Sequence, residues 1–351
     1  MNYNILEGDC FELIKKQPDN SVDLVITSPP YSDIVNYGKK VSTKKPDDYC
    51  DWILPLFREI YRVLKPSGSF ILNINDKCEN GYRSTYIYDL ISRNNKETDL
   101  KLYDTYIWYK PNGIPNGSTK RFRNTTEFIF HFCKDNKQIK FYMDRVLQEP
   151  KEKYLERLKY DTSDSHQGTI IDGVRVKTKG KVSFPGRATK DGFRGERIEK
   201  SLPDKVRPEN VVRFSTAAAA RDNKIKHPAP YHKQLPLYYI ELLTDVNDVV
   251  LDPFSGIATT GIACKELNRE YIGYELNEAY LDFSIKRMEG MLDDEYVINK
   301  YSLDDEFIQS YSSPSEACKD VNGESFHNLM RCYRGYSSSF MGYKWKLEKV
   351  C

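Results

Sequence analysis

The 351-residue chain contains no stretch near the roughly 18 uninterrupted apolar residues that a membrane helix needs. Its opening residues, MNYNILEGDC, show no basic-then-apolar leader, so secretion is not expected. Eight cysteines, at 10, 50, 78, 133, 264, 318, 332 and 351, include no C-x-x-C pair. That spacing speaks against a structural metal site or a disulfide framework and fits reduced thiols in a cytoplasm. The formal net charge is only +2, which points to no partner. Two phosphate-cradling signatures are also missing: G-x-G-x-x-G and a loop ending in Gly-Lys-Ser/Thr.

What is present is 39% hydrophobic and 13% aromatic residues, enough for a sizeable core and against global disorder. The near-zero net charge hides an asymmetry. Residues 151–233 hold 20 Lys+Arg and 11 Asp+Glu, whereas 238–310 hold 5 and 16. A basic middle followed by an acidic portion suggests that one face meets a polyanion; a solvated, loop-rich surface would read the same way.

Strand and helix patterns alternate at both ends of the chain. Tyr3–Leu6, Val22–Thr27, Ser69–Ile74, Tyr103–Tyr109 and Thr126–Phe132 read as strands. Cys10–Lys16 and Tyr49–Leu64 read as helices, the second from Ile53, Leu56, Phe57, Ile60, Val63 and Leu64 at helical spacing, with Pro66 and Gly68 as its stop. From about 141 to 223 this rhythm breaks into a segment rich in Lys, Arg, Gly and Asp, an inserted domain or long functional loops. It resumes with helices at Gln234–Leu243, Thr259–Leu267 and Glu278–Met291 around strands at Asp248–Phe254 and Tyr271–Leu276. The expected architecture is an α/β sheet with helices on both faces. The Ser- and Tyr-rich tail beyond Asp305 carries no readable pattern.

Two segments carry chemistry. In VVLDPFSGIATTGIACKELNREYIGYELN (249–277) a buried strand enters Asp252-Pro253-Phe254 and a turn of small residues, and a helix opens with Thr259 and Thr260. The next strand ends at Glu275, 23 positions after Asp252. A strand–turn–helix–strand unit with an acid about 20 residues on is suited to a nucleoside, whose ribose hydroxyls donate to the acid. With no phosphate loop, a cofactor made of a nucleoside and an amino-acid portion fits best, and S-adenosylmethionine is such a molecule; an ordinary tight strand-to-helix connection with no ligand is the other reading. The second segment is Ser28-Pro29-Pro30-Tyr31, directly after VDLVIT. Two prolines stiffen the backbone and remove two donors. Their carbonyls, the Ser28 hydroxyl and an exposed Tyr31 ring would form a receptacle for a planar exocyclic amine, with the tyrosine stacked on the ring. Hydrogen bonds favouring a more tetrahedral nitrogen would localise its lone pair towards a methyl donor. Read alone, the same tetrapeptide is also a plain Pro-Pro strand terminator.

Together these segments resemble the amino-methylating DNA methyltransferases of the β class. The likeness rests on TSPPY at 27–31, the basic stretch at 141–223, DPFSG at 252–256, and on EGDCFELIKKQPDNSVDLVITSPPY, REIYRVLKPSGSFILNI and HPAPYHKQLP in one order. It covers about 1–135 and 225–290. It implies a circularly permuted, Rossmann-like sheet of the S-adenosylmethionine-dependent methyltransferase kind. The catalytic half would span 1–140, an inserted target-recognition region 141–225 and the cofactor-binding half 226–300, with an extension at 301–351.

The resemblance makes Ser28, Pro29, Pro30 and Tyr31 the catalytic tetrapeptide. Asp252, Pro253, Phe254 and Gly256, with Thr259 and Thr260, become the cofactor loop, and Glu275 the ribose acid. Asp9, beside Cys10, would lie near the adenine, Thr27 would border the cofactor, and His227 to Tyr231 would close over its methionine end. The family's second loop glycine is replaced here by Ala258, after Ile257, and alanine tolerates a positive φ poorly.

In that family Ser-Pro-Pro-Tyr usually accompanies cytosine N4, and Asp- or Asn-Pro-Pro-Tyr adenine N6. The implied activity is therefore cytosine-N4 methylation of a specific double-stranded DNA sequence, with the base flipped out and no metal needed. Adenine-N6 methylation is the alternative, an RNA or protein methyltransferase a second, and a catalytically silent DNA-binding subunit a more distant one. Lys177, Lys179, Lys181, Arg187, Lys190, Arg194 and Arg197 become candidates for phosphate or base contact. His131 and His166 read as surface or core residues. A cognate restriction endonuclease is a further implied partner, and the expected location is the cytoplasm of a prokaryote, or a phage-encoded protein acting there.

Overall fold

The structure is a computed structural model that describes residues 2–31, 46–76, 78–79, 81–112, 120–150, 169–171, 174–176, 205–215, 232–290, 296–311, 314–321, 329, 332 and 339–349. Contacts divide the chain into two units, Met1–Tyr142 with Glu209–Cys351, and Met143–Pro208. His166, His227, Tyr231 and the seven basic residues named above between 177 and 197 lie outside the described residues.

Eight strands of the larger unit form one sheet: β1 (Tyr3–Glu7), β2 (Val22–Thr27), β3 (Leu64–Ile74), β6 (Lys101–Tyr109), β7 (Thr126–Cys133), β10 (Val211–Arg213), β11 (Val249–Asp252) and β12 (Glu270–Glu275). Their order is β1-β12-β11-β2-β3-β7-β6-β10. Neighbours are parallel except around β7, which runs against both β3 and β6. Seven strands thus point one way. Their carboxyl ends, together with the amino end of β7, share one edge.

The middle strand β2 has all six residues buried, which is what a strand covered on both faces requires. Helix α1 (Cys10–Leu13), α2 (Pro46–Val63) and α3 (Tyr86–Glu97) pack together, and α2 packs the stripe Ile53, Leu56, Phe57 and Ile60 with Val25, Phe70, Leu72, Phe132 and Leu251. A second group, α4 (Gln234–Leu243), α5 (Thr259–Leu267) and α6 (Glu278–Glu289), packs among itself and against the sheet. Burying each such large apolar side chain contributes roughly 1.5–3 kcal/mol before chain entropy is counted.

The elements differ from the sequence expectation in several places. Helix α2 ends at Val63, before Pro66, and Leu64 already pairs with Val22, so helix runs straight into strand with an irregularity ahead of Ser69. Helix α3 was not anticipated: its buried Tyr86, Ile87, Leu90 and Asn94 follow helical spacing inside a mostly polar segment. The tail contains an antiparallel sheet, with β13 (Tyr296–Tyr301) between β14 (Phe307–Tyr311) and β15 (Lys344–Lys349), and α7 (Pro314–Asp320) packs on α6. Ile298, Tyr311 and Trp345 are buried there, and the Lys300 ammonium lies 3.9 Å from the Tyr343 ring centre.

Within Met143–Pro208 the described backbone forms a hairpin, β8 (Thr169–Ile171) with β9 (Val174–Val176), and a two-way bridge between Gln148 and Val206. No helix among the described residues is long and apolar enough to cross a membrane.

Candidate active site

The carboxyl edge gathers the described residues of the two motifs that the sequence singled out. Strand β11 lies between β12 and β2, so Asp252, Glu275 and Ser28 come from three adjacent strand ends although the chain places Ser28 and Asp252 far apart. Beside them, β1 ends at Glu7, and the Gly8 amide donates to the Glu275 carbonyl at 3.0 Å.

Asp252 is a fully engaged carboxylate. It is 1% exposed; Oδ1 accepts from the Thr27 hydroxyl at 2.6 Å and the Phe254 amide at 3.1 Å, and Oδ2 from the Thr260 hydroxyl at 2.6 Å. It therefore ties the end of β2 to the start of α5 and fixes the turn between them. That turn is tight: Gly256 has φ +53 and Ala258 φ +52. Ala258, fully buried, is left-handed and sits at the N-cap of α5. The loop also presses on β12, where a Cβ at Gly273 would meet the Ser255 hydroxyl at 2.8 Å. Thr259 is buried at the start of α5, and Pro253 is buried in the turn.

Glu275 is different. It is 9% exposed, and the backbone amides of Gly256 and Asn277 donate to its two oxygens, each at 2.8 Å. Burial pushes its carboxyl up to about 7, with those amide bonds pulling the other way. Each oxygen keeps acceptor capacity beyond its one amide bond. Asp9 is exposed at the N-cap of α1, accepting from the Phe11 amide at 2.9 Å, whereas Cys10 is buried and its thiol is pushed far up by burial. A row of rings joins these two loops: Trp52 stands 5.6 Å from Phe11 and 6.0 Å from Phe254. Nothing in the local sequence sets Trp52 apart as part of a site.

The tetrapeptide stands at the end of β2. Ser28 is half-buried, and its hydroxyl donates to the Tyr31 oxygen at 3.0 Å. Tyr31 is not the exposed ring that the sequence suggested: it is 9% exposed, and its hydroxyl lies 2.9 Å from Glu127 Oε2 and 3.2 Å from Asn73 Oδ1. Pro29 is buried, and the Pro30 carbonyl accepts from the Tyr49 hydroxyl at 3.1 Å. Asn73 Nδ2 donates to Glu127 Oε2 at 3.0 Å, and Lys110 donates to Glu127 Oε1 at 2.6 Å. A buried polar chain thus runs from Ser28 through Tyr31 to a half-buried ion pair. Asn73, Lys110 and Glu127 lie on or beside β3, β6 and β7, and only the antiparallel insertion of β7 brings Glu127 to this edge. No local sequence signal marks them.

His131 lies in the core, fully buried, with Nε2 3.0 Å from the Ser69 hydroxyl and its ring held neutral down to about pH 3 by burial. It faces no part of this edge.

Three adjacent strand ends thus carry Ser28, Asp252 and Glu275 at one edge of the sheet. The model of the N6/N4 methyltransferase family, described as DNA methylase, matches residues 22–287, more than half of the chain, and the protein belongs to that family. It is 28% identical over 304 residues to type II methyltransferase M.BglII of Bacillus subtilis, covering 83% of this chain and 70% of that one. It is 27% identical over 287 residues to the DNA adenine methyltransferase YhdJ of Escherichia coli (strain K12), covering 81% and 82%. Among solved structures, PvuII DNA methyltransferase (cytosine-N4-specific) matches with a TM-score of 0.58 at 22% identity, covering 84% of this chain and 91% of that one. The last is a likeness of fold: the α/β sheet is that of the S-adenosylmethionine-dependent methyltransferases.

Proposed function

We propose that this DNA methyltransferase moves a methyl group from S-adenosylmethionine to the exocyclic N4 of cytosine in a specific duplex sequence, as the modification half of a restriction-modification system. The observation that carries this reading is the Ser28 hydroxyl, held by Tyr31 at the strand end next to the Asp252 turn.

The residues present fit the cofactor. Glu275 is a buried acceptor with its amide bonds already made, suited to a donating ribose diol; Asp9 is a second acceptor; and Phe11, Trp52 and Phe254 offer apolar surface to a base. Asp252 and Gly256 shape the turn, and Thr27, Thr259 and Thr260 bind or border that carboxylate's corner. His227 and Tyr231 are proposed to close over the methionine end. The bound cofactor supplies an electrophilic methyl group on a sulfonium.

The protein's own part is to make a poor nucleophile usable. The target base leaves the stack and its amine meets the Ser28 oxygen and the stiff carbonyls of Pro29 and Pro30, which draw the lone pair out of conjugation. The Ser28 hydroxyl is oriented by Tyr31, which is in turn fixed by Glu127 and Asn73. The proton lost by the amine leaves towards this hydroxyl chain, whose far end is the Glu127 carboxylate. Residues 141–225 serve as the region that reads the DNA sequence.

The test is mass spectrometry of nucleosides from unmethylated duplex DNA incubated with the protein and S-adenosylmethionine. N4-methylcytosine is the expected product. N6-methyladenine would keep the fold and chemistry but overturn the base assignment; the likeness to an adenine enzyme gives that second reading its support. No methylated base at all would favour the silent-subunit reading.

A further inference from the structure

The larger unit has a second feature at the same edge, outside both the tetrapeptide and the basic middle segment. A groove of about 820 Å3 is lined by Asp76, Arg83, Lys120, Arg121, Phe122 and Arg123, among others. One wall is the small hairpin of β4 (Cys78–Glu79) and β5 (Tyr82–Arg83); the other is the segment 120–124 leading into β7. Arg121 donates to the Gly81 carbonyl at the hairpin's turn, which ties the walls together, and Arg83 pairs with the buried Asp76. Among the described residues lining the groove, four cations stand against one carboxylate, which pairs with Arg83. Two aromatic rings stand in solvent on the walls: Phe122, 98% exposed, within the run Lys120-Arg121-Phe122-Arg123, and Tyr82, 79% exposed.

The groove adjoins the Tyr31 network through the chain itself. Thr126 lines it, and the next residue, Glu127, bonds Tyr31; Asp76 lies three residues beyond Asn73. An apolar ring held in water among cations suits a partner that is both polyanionic and stacked, and duplex nucleic acid is such a partner.

We propose that this groove seats the phosphodiester backbone of duplex DNA next to the target base, and that Phe122 enters the base stack at the step the extruded base leaves. The proposal rests on the DNA-methyltransferase reading above. It adds a duplex-binding surface within the catalytic unit, with a wedge that lowers the cost of holding the stack open.

Three full-length variants test it: Lys120→Gln/Arg121→Gln/Arg123→Gln, Phe122→Ala and Phe122→Trp. Two readouts are needed, binding to mixed-sequence duplex DNA by fluorescence anisotropy over a salt series, and methyl incorporation into native against heat-denatured DNA. The charge variant should bind at least 10-fold more weakly, with the slope of log affinity on log salt reduced by about 2 to 3, near one for each phosphate no longer neutralised. Phe122→Ala should lower the native-to-denatured turnover ratio at least 5-fold, and Phe122→Trp should restore most of it. A wild-type salt slope in the charge variant, or a wild-type ratio in Phe122→Ala, overturns the proposal while leaving the methyltransferase reading intact if the wild type methylates DNA. If the wild type methylates no DNA, both fall. Weakened capture of an acidic protein with duplex binding unaltered would reassign the groove to a protein partner and overturn the proposal.

Discussion

The two edges of the central sheet use buried carboxylates in opposite ways. At the amino edge Asp23, 2% exposed, accepts from Lys65 at 2.6 Å, from Lys140 at 3.4 Å and from the Val249 amide at 3.0 Å. Two lysines face its charge, Lys140 being shared with Asp248 and Asp245, and the cluster joins β2 to the start of β11. At the carboxyl edge Glu275 is also buried, at 9% exposed, yet its bonds to the protein come from neutral amides, and its carboxyl is raised to about 7 by burial. A carboxylate balanced by cations stabilises the fold. One left with acceptor capacity and a desolvation penalty is a candidate for binding something outside the chain, as proposed above for Glu275. Asp252 stands between these cases, buried at the carboxyl edge but satisfied by hydroxyls and an amide.

The largest effect should come from the tetrapeptide. Tyr31→Ala removes both the ring and the hydroxyl that orients Ser28, and turnover should fall by about 100- to 1000-fold, the scale of removing a preorganised hydrogen bond to the transition state. Tyr31→Phe keeps the ring and should lose about 10- to 100-fold, as one charge-assisted hydrogen bond is broken. Cofactor affinity by calorimetry should be unchanged in both. A fall in that affinity equal to the fall in turnover would show that the two halves of the edge are not separable.

Glu275 should give the next largest. Glu275→Gln should weaken S-adenosylmethionine binding by about 10- to 100-fold, the worth of hydrogen bonds to a charged acceptor. Its pH behaviour separates it from Asp23. Its folded value of about 7 lies above the ordinary 4.5, so the folded state holds a proton that the unfolded chain has released between those values. The stability this provides is complete below about pH 4.5 and is lost as pH rises through about 7. Urea denaturation of the cofactor-free protein should therefore show wild type losing stability relative to Glu275→Gln from pH 5 to pH 7.5. Cofactor affinity should rise over the same interval, as the acceptor ionises. Parallel pH curves for the two proteins would remove the assignment.

Asp23→Ala turns the comparison round. It should cost about 2–3 kcal/mol of stability in urea, less than a fully buried pair because Lys65 and Lys140 keep 36% and 23% of their side-chain surface. It should leave cofactor affinity untouched. Weakened binding in this variant would mean that the amino edge communicates with the site, and the contrast between edges would fail.

The same contrast explains what could be read from the chain. The Asp252–Glu275 unit is contiguous, so its strand, turn, helix and acid appear in order, and the helices Gln234–Leu243 and Thr259–Leu267 fall where spacing puts them. The partners of Tyr31 do not. Asn73 and Glu127 lie in, and Lys110 just beyond, strands that read only as apolar runs, and Glu127 comes to this edge because β7 alone is reversed. The exposed tyrosine expected from a Pro-Pro terminus is buried for that reason: Glu127 and Asn73 give its hydroxyl a place inside. The tail sheet was invisible because its buried residues are Tyr, Trp and Ile scattered among Ser, Lys and Asp, and β15 joins β13 across a long separation.

Ala258 sets the smallest expected effect. Its φ of +52 places an alanine where the family's loop commonly has glycine, and that conformation costs an L-residue about 1–2 kcal/mol. Ala258→Gly releases that strain but gives up a fully buried methyl group, worth about 0.8 kcal/mol, and adds about 0.5–1 kcal/mol of unfolded-chain entropy. These nearly cancel, so stability in urea should change by less than about 1 kcal/mol. Cofactor affinity should change by less than about 3-fold, well under the factor of 10 that 1.4 kcal/mol would bring. The reason is that the Asp252 bonds to Thr27 and Thr260 already hold the turn in its final shape with alanine in place. A tenfold tightening in Ala258→Gly would mean that the turn is not preformed, and that the satisfied carboxylate at the functional edge does less to fix it than its three bonds imply.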